Sequence, residues 1–505
     1  MLAPRRKGTE DRCWQSRRNF REPVMENQTS SPRRQVRAAS CFAWAAVVSA
    51  IVVICFGVPQ AASAATVRTD DQAYLQAEKE FAGGDYDAAI ASLDSAISSS
   101  PEPDYHYLRG ECFRKTWRLD QAVDDFDRTL GLNPKHARAH YSRGLIAEYR
   151  DYWDRALEDY DSAVGLDPNL SLPYIARGGI RWKRGELESA TNDLNRGIKL
   201  ASEAVLANPN DAAAYRSRAL AFRTLRQFDR ALEDHDQMIR LLPDSVEAHI
   251  ERGRTHAAKY EQAMHAAQTG GGTEAMVVAE RHKAASVADF DQAVRLATRL
   301  IEKSPNIPQG YRMRVEAFDA RFHAWKDPED CRFAVADLDM IARLAPDCAT
   351  VFFRRGHLRA VAAATDGDAT AAAKHFDAAL ADLNQVIRLD PTFAAAWCER
   401  GLHYLRAVQR GGDAELSRRG AGDLSEMIRL VPKEGRAYCA RGSAHALLSD
   451  WQQALADAND AVRLCPQMPE AYSLRGLIHD CLGNQDAAHA DLARARELQE
   501  RLGAK

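Results

Sequence analysis

Residues 137–168 read ARAHYSRGLIAEYRDYWDRALEDYDSAVGLDP, and residues 103–134 read PDYHYLRGECFRKTWRLDQAVDDFDRTLGLNP. Aligned at an offset of 34 residues, the two share an Arg-Gly pair near the start, an Ala-x-x-x-large-apolar pattern (Ala122 and Phe126, Ala156 and Tyr160), and a closing proline (Pro134, Pro168). Self-similarity at a fixed period of this size marks a structural repeat that buries its apolar face only by stacking on its neighbours.

Outward from these two copies the pattern runs along the chain. Pro101, Pro134, Pro168, Pro209, Pro243, Pro305, Pro346, Pro391, Pro432 and Pro466 each close a helical pattern, with gaps of 33, 34, 41, 34, 62, 41, 45, 41 and 34. The motif resembles the tetratricopeptide repeat, and the likeness covers residues 70 to 503. The resemblance implies an all-α fold, a right-handed superhelical solenoid of about eleven helix-turn-helix repeats, in which small residues sit at the close helix crossing and large ones beside it. The copies start near Asp70, Pro103, Ala137, Ser171, Ala212, Val246, Pro308, Ala349, Ala394, Gly435 and Pro469. The eleventh lacks a closing proline but keeps Ala488, Leu492 and Ala495, and its polar ending, Glu497 to Arg501, reads as a cap.

The irregular gaps carry information of their own. Forty-one is 34 plus seven, the length added when both helices of a hairpin grow by about one 3.6-residue turn. The added loops fall near Asp327-Pro328, Asp366-Gly367-Asp368 and Gly411-Gly412-Asp413, with Gly270-Gly271-Gly272 at the tip of the longest, sixth copy. Copies four and six also extend their second helix, through Ala201 to Ala207 and Thr298 to Ser304. The array therefore divides into residues 70–245 (copies one to five), 246–434 (copies six to nine, lengthened) and 435–505 (copies ten and eleven with the cap).

Ahead of the array, residues 1–37 form a basic N-terminal region and residues 38–64 a membrane-directed one. Cys41 to Val58 is an unbroken apolar and small-residue run that follows Arg33, Arg34 and Arg37, and Ala62-Ser63-Ala64 makes a small-x-small cleavage site after Pro59. Two readings stand: a signal peptide cut after Ala64, or a retained transmembrane anchor. Either one targets the protein to the membrane or exports it to the periplasm or cell envelope. Met25 offers a second, more compact start to this segment.

The formal net charge is -3, with 10 Lys/Arg against 4 Asp/Glu in residues 1–64, which leaves about -9 on the rest. A mildly acidic array lacks the positive field that draws nucleic acid, so no nucleic acid is expected. No Gly-rich phosphate loop, His-Glu-x-x-His helix, Cys-x-x-Cys pair or nucleophile elbow occurs in the array. Neither catalytic nor metal residues are expected, and no small-molecule cofactor. His106, His140 and His249 fall at an aromatic packing position, the fourth of the unit. The seven cysteines of the array, an odd count without short spacing, read as free thiols that pack as small apolar groups.

Ten copies carry an arginine at position 7 and an aspartate at position 23, from Arg109 with Asp125 to Arg475 with Asp491, and the first copy lacks both, with Gln76 and Ser92 instead. Presence and absence together predict an ion pair inside each repeat. These arginines are architecture, because a half-buried guanidinium needs its carboxylate.

In proteins that this chain resembles, positions 2, 5, 9, 12 and 13 of the first helix line a concave groove. Carried over, these positions give Tyr107, Tyr141, Leu145, Tyr149, Ile175 and Trp182 in copies two to four, an aromatic stripe suited to a peptide. Copies five to seven give Arg216, Arg223, Arg254 and Arg312, with Glu247 and Glu316 among them. The asparagine at position 9 that chaperone-tail binders use is absent, since Glu111, Leu145, Gly179, Leu220 and Arg254 stand there. The expected function is a non-catalytic scaffold or adaptor for other proteins or peptides, touching the membrane through residues 41–58 unless these are cleaved. An envelope component for exopolysaccharide assembly or secretion, its aromatics stacking sugars, is the alternative.

Overall fold

The computed structural model describes residues 69–365 and 369–503. These residues form helices joined by short turns, in eleven consecutive antiparallel hairpins that begin at Thr69, Pro103, Ala137, Ser171, Ala212, Val246, Pro308, Ala349, Ala394, Gly435 and Pro469. A regular copy pairs 13 residues with 14, as in Ala137–Tyr149 and Trp153–Leu166. The second helices of the first ten copies end for the same reason. The residue before the closing proline is barred from the helical region by the ring's Cδ, and Asn133 and Asp167 take extended dihedrals there.

The turn inside each hairpin places position 15 in the left-handed region. Gly84, Gly185 and Gly483 hold it with φ near 80°, but Trp117, Asp151, Arg226 and Ser449 hold it too, with φ of 63°, 63°, 58° and 58°. The crossing of the two helices is set one turn into the first. A Cβ on Gly110 would lie 2.7 Å from the Phe126 ring, and one on Gly144 would lie 2.6 Å from the Tyr160 ring. Phe126, Tyr160, Leu194 and Phe290 are fully buried at that crossing.

The lengthened copies grow by whole turns within their helices. Copy seven pairs Pro308–Trp325 with Pro328–Leu344, where Asp327 caps the second helix through the Glu329 N–H and Pro328 occupies its first turn. Copy nine turns at Gly411 (φ 101°) before the Asp413 cap. Copy four extends its second helix to Leu187–Ala207. Copy six is the longest, Val246–Ala266 against Gly272–Lys303, with a π-type turn and Gly270 at φ 122° between them. Residues 1–37 and 38–64 and the turn Asp366-Gly367-Asp368 lie outside the described residues. No described helix is long and apolar enough to cross a membrane.

The described chain falls into two compact units, residues 69–399 and 400–503. In the second unit, copies ten and eleven pack through Ala446, Ala454, Ala458 and Ile478. Leu498 of the final helix, Gln485–Gly503, is buried.

Within residues 69–399 the array also touches itself six copies apart. The turn of copy one meets the start of copy seven, where Gln309 lies against Gly84. The turn of copy two meets copy eight, where the Cys348 thiol donates to the Trp117 carbonyl at 3.2 Å and the Arg354 guanidinium sits 4.3 Å from the Trp117 ring centre. Copy three meets copy nine, where the Tyr152 hydroxyl donates to the Thr392 carbonyl and accepts from the Ala394 N–H at 3.3 Å. Arg150 lies 3.3 Å from Asp390 there, and the Tyr149 and Phe393 rings approach to 6.5 Å. The register is constant, one hairpin turn against the hairpin start six copies later. Tyr149, Ala349, Val386 and Phe393 share one buried cluster with Leu108, Phe113 and Phe126, so this seam is part of the core.

Candidate partner-binding surface

The charge ladder uses one arginine of each copy that carries it. In all ten copies that carry the pair, Nε and Nη2 of the position-7 arginine donate to the two carboxylate oxygens of the position-23 aspartate, at 2.5 to 3.1 Å. This two-point contact is the strongest ordinary form of an ion pair. Copy one solves the same position without charge pairing, since Gln76 and Ser92 both donate to Glu80.

Nine of these arginines spend their remaining Nη1 on the preceding copy, 15 residues back for Arg109 and 16 residues back for the other eight. The acceptors are Asp94, Asp127, Asp161, Ser202, Asp236, Thr298, Asp339, Ser425 and Asn459. Each guanidinium therefore stitches its own hairpin and ties it to the one before. This second tie is not visible in residue types, because aspartate, serine, threonine and asparagine alternate there. The signal that finds it is the spacing, 16 residues in eight copies and 15 in copy two.

The position-4 side chains close the turn between copies. His106, His140 and His249 place Nδ1 3.1 to 3.4 Å from the ladder aspartate, and His140 and His249 also reach the carbonyl of the preceding proline. Trp397, Tyr438 and Tyr472 donate to the same carbonyl in their copies. They are packing residues with one polar tip satisfied.

What remains is the face of the first helices that the ladder does not use. Tyr141, Leu145, Tyr149 and Ile175 are buried, while Tyr107 and Trp182 are half-buried. Tyr107 bonds Ser142 of the next copy, and burial raises its hydroxyl pKa well above the usual value. Tyr149 lies in the seam, with its hydroxyl pushed up to about 12 by burial. The aromatic stripe is thus largely consumed by packing between adjacent copies and across the seam. Tyr107 and Trp182 keep part of their rings accessible.

Arg216 and Arg223 of copy five meet carboxylates of copy six, and Arg254 meets one within its own helix. Arg216 lies 3.1 Å from Glu247, and Arg223 and Arg254 converge on Glu251 at 2.8 and 2.6 Å. Burial would raise the Glu251 carboxyl, but Arg223 and Arg254 pull it down to about 2. Arg312 stands apart from this group and is buried where copies one and seven meet. Its surroundings include Asp87, which itself pairs with Arg118 at 2.9 Å, and burial pulls its pKa down to about 10. Positions 9, 12 and 13 of copy two hold Glu111, Arg114 and Lys115. Arg114 and Glu111 form a fully buried pair at 2.7 Å, and Lys115 has its pKa lowered by burial to about 8. Between copies three and five, Tyr141, Leu145, Leu172, Ala176 and Leu220 line a small notch with the Arg216 side chain at its rim.

A family model described as tetratricopeptide repeat matches residues 74–123, 117–171 and 183–246. Among solved structures, the chain is similar to yeast Tom70 at 14% identity, over 85% of this chain and 99% of that one, with a TM-score of 0.35. It is similar to human IFIT1, solved as a dimer with PPP-AAAA, at 14% identity over 82% and 95%, TM-score 0.35. It is also similar to a thermophilic TPR protein of Thermus thermophilus, at 15% identity over 37% and 98%, TM-score 0.31. Residues 74–171 and 183–246 are tetratricopeptide repeats, and the described chain is an all-α solenoid of that helix hairpin.

Proposed function

We propose that this protein is a non-catalytic scaffold that binds segments of other proteins along the first helices of copies two to seven. The observation that carries this reading is a division of labour. Positions 7 and 23 hold the same bidentate pair in ten copies, whereas positions 2, 5, 9, 12 and 13 vary, with Tyr107, Tyr141, Tyr149 and Trp182 among them in copies two to four and Arg216, Arg223, Arg254, Arg312, Glu247 and Glu316 among them in copies five to seven. A rigid frame that presents varied side chains suits recognition. Trp182 and the apolar lining of the notch, Leu145, Leu172 and Leu220, supply apolar anchors. Arg216, Arg223 and Arg254, held by Glu247 and Glu251, supply an ordered polar rim.

The same reading places the protein at a membrane or in the cell envelope, on the strength of the Cys41 to Val58 run and the Ala62-Ser63-Ala64 site. Affinity capture from an envelope fraction tests both parts, with Trp182→Ala beside the wild type. The scaffold reading expects defined protein partners whose recovery falls at least tenfold with the variant. Glycan-array binding lost with the same variant would move the assignment to the polysaccharide class, and equal recovery by both forms would remove Trp182 from the site. N-terminal sequencing of the mature protein then separates cleavage after Ala64 from a retained anchor.

A further inference from the structure

We propose that the first helices of copies two and seven hold a binding site for a carboxylate of the partner segment, with Arg312 and Lys115 as the cations that receive it. The inference deepens the scaffold reading and rests on it for the occupant. The site itself is argued from which charges of this face are paired and which are not.

The other arginines of the carried-over positions have carboxylates. Arg114 holds Glu111 at 2.7 Å, Arg216 lies 3.1 Å from Glu247, and Arg223 and Arg254 share Glu251. Arg312 does not. It is 5% exposed, yet among the described residues its guanidinium has no hydrogen-bond or ion-pair partner. Five N–H donors left in the interior without an acceptor are costly, and buried charges are ordinarily paired. Asp87 acts on Arg312 electrostatically but is bonded by Arg118 at 2.9 Å, and Glu316, one turn along the same helix, makes no ion pair with Arg312.

Lys115 repeats the situation on copy two. Its ammonium is half-buried and has no hydrogen-bond or ion-pair partner among the described residues, although Glu247, Arg114, Arg216 and Glu111 all act on it. Four cations, Arg114, Lys115, Arg216 and Arg312, thus meet two carboxylates, Glu111 and Glu247, and two positive charges are left over. Both stay charged at neutral pH, since burial lowers Arg312 only to about 10 and Lys115 only to about 8. The Tyr86 hydroxyl, on which Glu247, Arg312 and Arg114 act, is pushed up to about 12 by burial and stays a neutral donor. A buried charge without a partner in its own chain is suited to a ligand that brings one. Because Arg114, Arg216, Arg223 and Arg254 are each met by a carboxylate, the chemistry that fits is a carboxylate on the bound segment. The apolar notch begins at the same Arg216, so an aliphatic side chain can seat beside the acidic one.

The experiment is fluorescence anisotropy of the full chain with a fluorescein-labelled peptide of alternating leucine and glutamate, beside the same peptide with glutamine for glutamate. The proteins are the wild type, Arg312→Gln, Lys115→Gln and Lys199→Gln, the last changing an exposed lysine of copy four's second helix. The proposal expects the acidic peptide to bind at least tenfold more tightly than its glutamine form. Arg312→Gln and Lys115→Gln each lose at least tenfold of that affinity, and Lys199→Gln changes nothing. Thermal unfolding is the second readout. Arg312 has no partner to strand, so Arg312→Gln keeps or raises the melting temperature, whereas loss of a structural arginine lowers it. A lowered melting temperature overturns the proposal, and so does equal affinity of wild type and both inner-face variants for the acidic peptide. Inorganic phosphate is the competing arm. If it displaces the peptide at equal concentration, the site takes a free oxyanion and the peptide assignment is overturned. Failure of the scaffold reading registers separately: captured partners indifferent to Arg312→Gln leave the scaffold without this site, and an acidic peptide that binds where capture recovers nothing leaves the site without the scaffold.

Discussion

Asp234 receives two bonds from Arg218 and is 3% exposed, and burial raises its carboxyl by more than Arg218 lowers it, so the pair is held under tension by its surroundings. Removing one partner of such a pair strands the other charge, at a cost of about 3–5 kcal/mol. Asp234→Ala is expected to lose about 3 kcal/mol in urea unfolding, the half-buried Arg218 recovering part of its hydration. Gly144→Ala sets two effects against each other. Helix propensity gains about 1 kcal/mol, but a Cβ at 2.6 Å from a fully buried tyrosine ring costs about 1–3. Overpacking wins, and a net loss in thermal stability is expected. His235 occupies the crossing position held by Phe126, Tyr160 and Leu194 elsewhere; its Nε2 meets Thr255 at 3.1 Å, its Nδ1 is unpartnered, and burial lowers its pKa to about 3. An unfolded imidazole titrates near 6.5, so the folded state gives up stability as pH falls from about 6.5 toward 3 and keeps it all above. Unfolding titrations at pH 7 and pH 5 should show that His235→Leu loses about 2 kcal/mol less than the wild type over that interval. The ladder was legible because both partners were missing together from copy one. The burial of Tyr141 and Tyr149 was not, because position within the repeat does not say what lies across the coil.

The hairpins follow from punctuation that a sequence displays openly: prolines that end second helices, and Asp327-Pro328 and Gly411-Gly412-Asp413 that reopen them. Trp117, Asp151 and Arg226 show the limit of that reading, since their left-handed turns carry no glycine to announce them. Copy six carries its extra length as a long hairpin whose last buried side chains are Ala263 on one helix and Ala279 on the other. Just below them, the His256 and His282 rings meet head-on, Nδ1 to Nδ1 at 3.0 Å. From residue 264 to 278 every side chain is half-buried or exposed, including Met276 and Val277. Backbone hydrogen bonds in such a tip open without global unfolding. Hydrogen exchange should reach completion across 264–278 at least a hundredfold sooner than across Val246–Arg254, and uniform protection along the hairpin would show that the tip packs on something.

At the scale of the molecule, repetition makes neighbour contacts legible and hides the rest. Copies in one period all predict the same stacking, but the seam joins residues 225 to 244 apart that share no pattern. Trp117 was its single trace, a large aromatic where the turn favours glycine. The solenoid of residues 69–399 is held by two systems of contacts, the arginine stitch between neighbours and the seam between copies six apart. The most direct measurement replaces Trp117 by benzoylphenylalanine in the full chain and maps its photo-crosslinks by mass spectrometry. The account expects an intramolecular crosslink to peptides containing Tyr311 or Cys348 to Arg354. Crosslinks confined to copies one to three would contradict it.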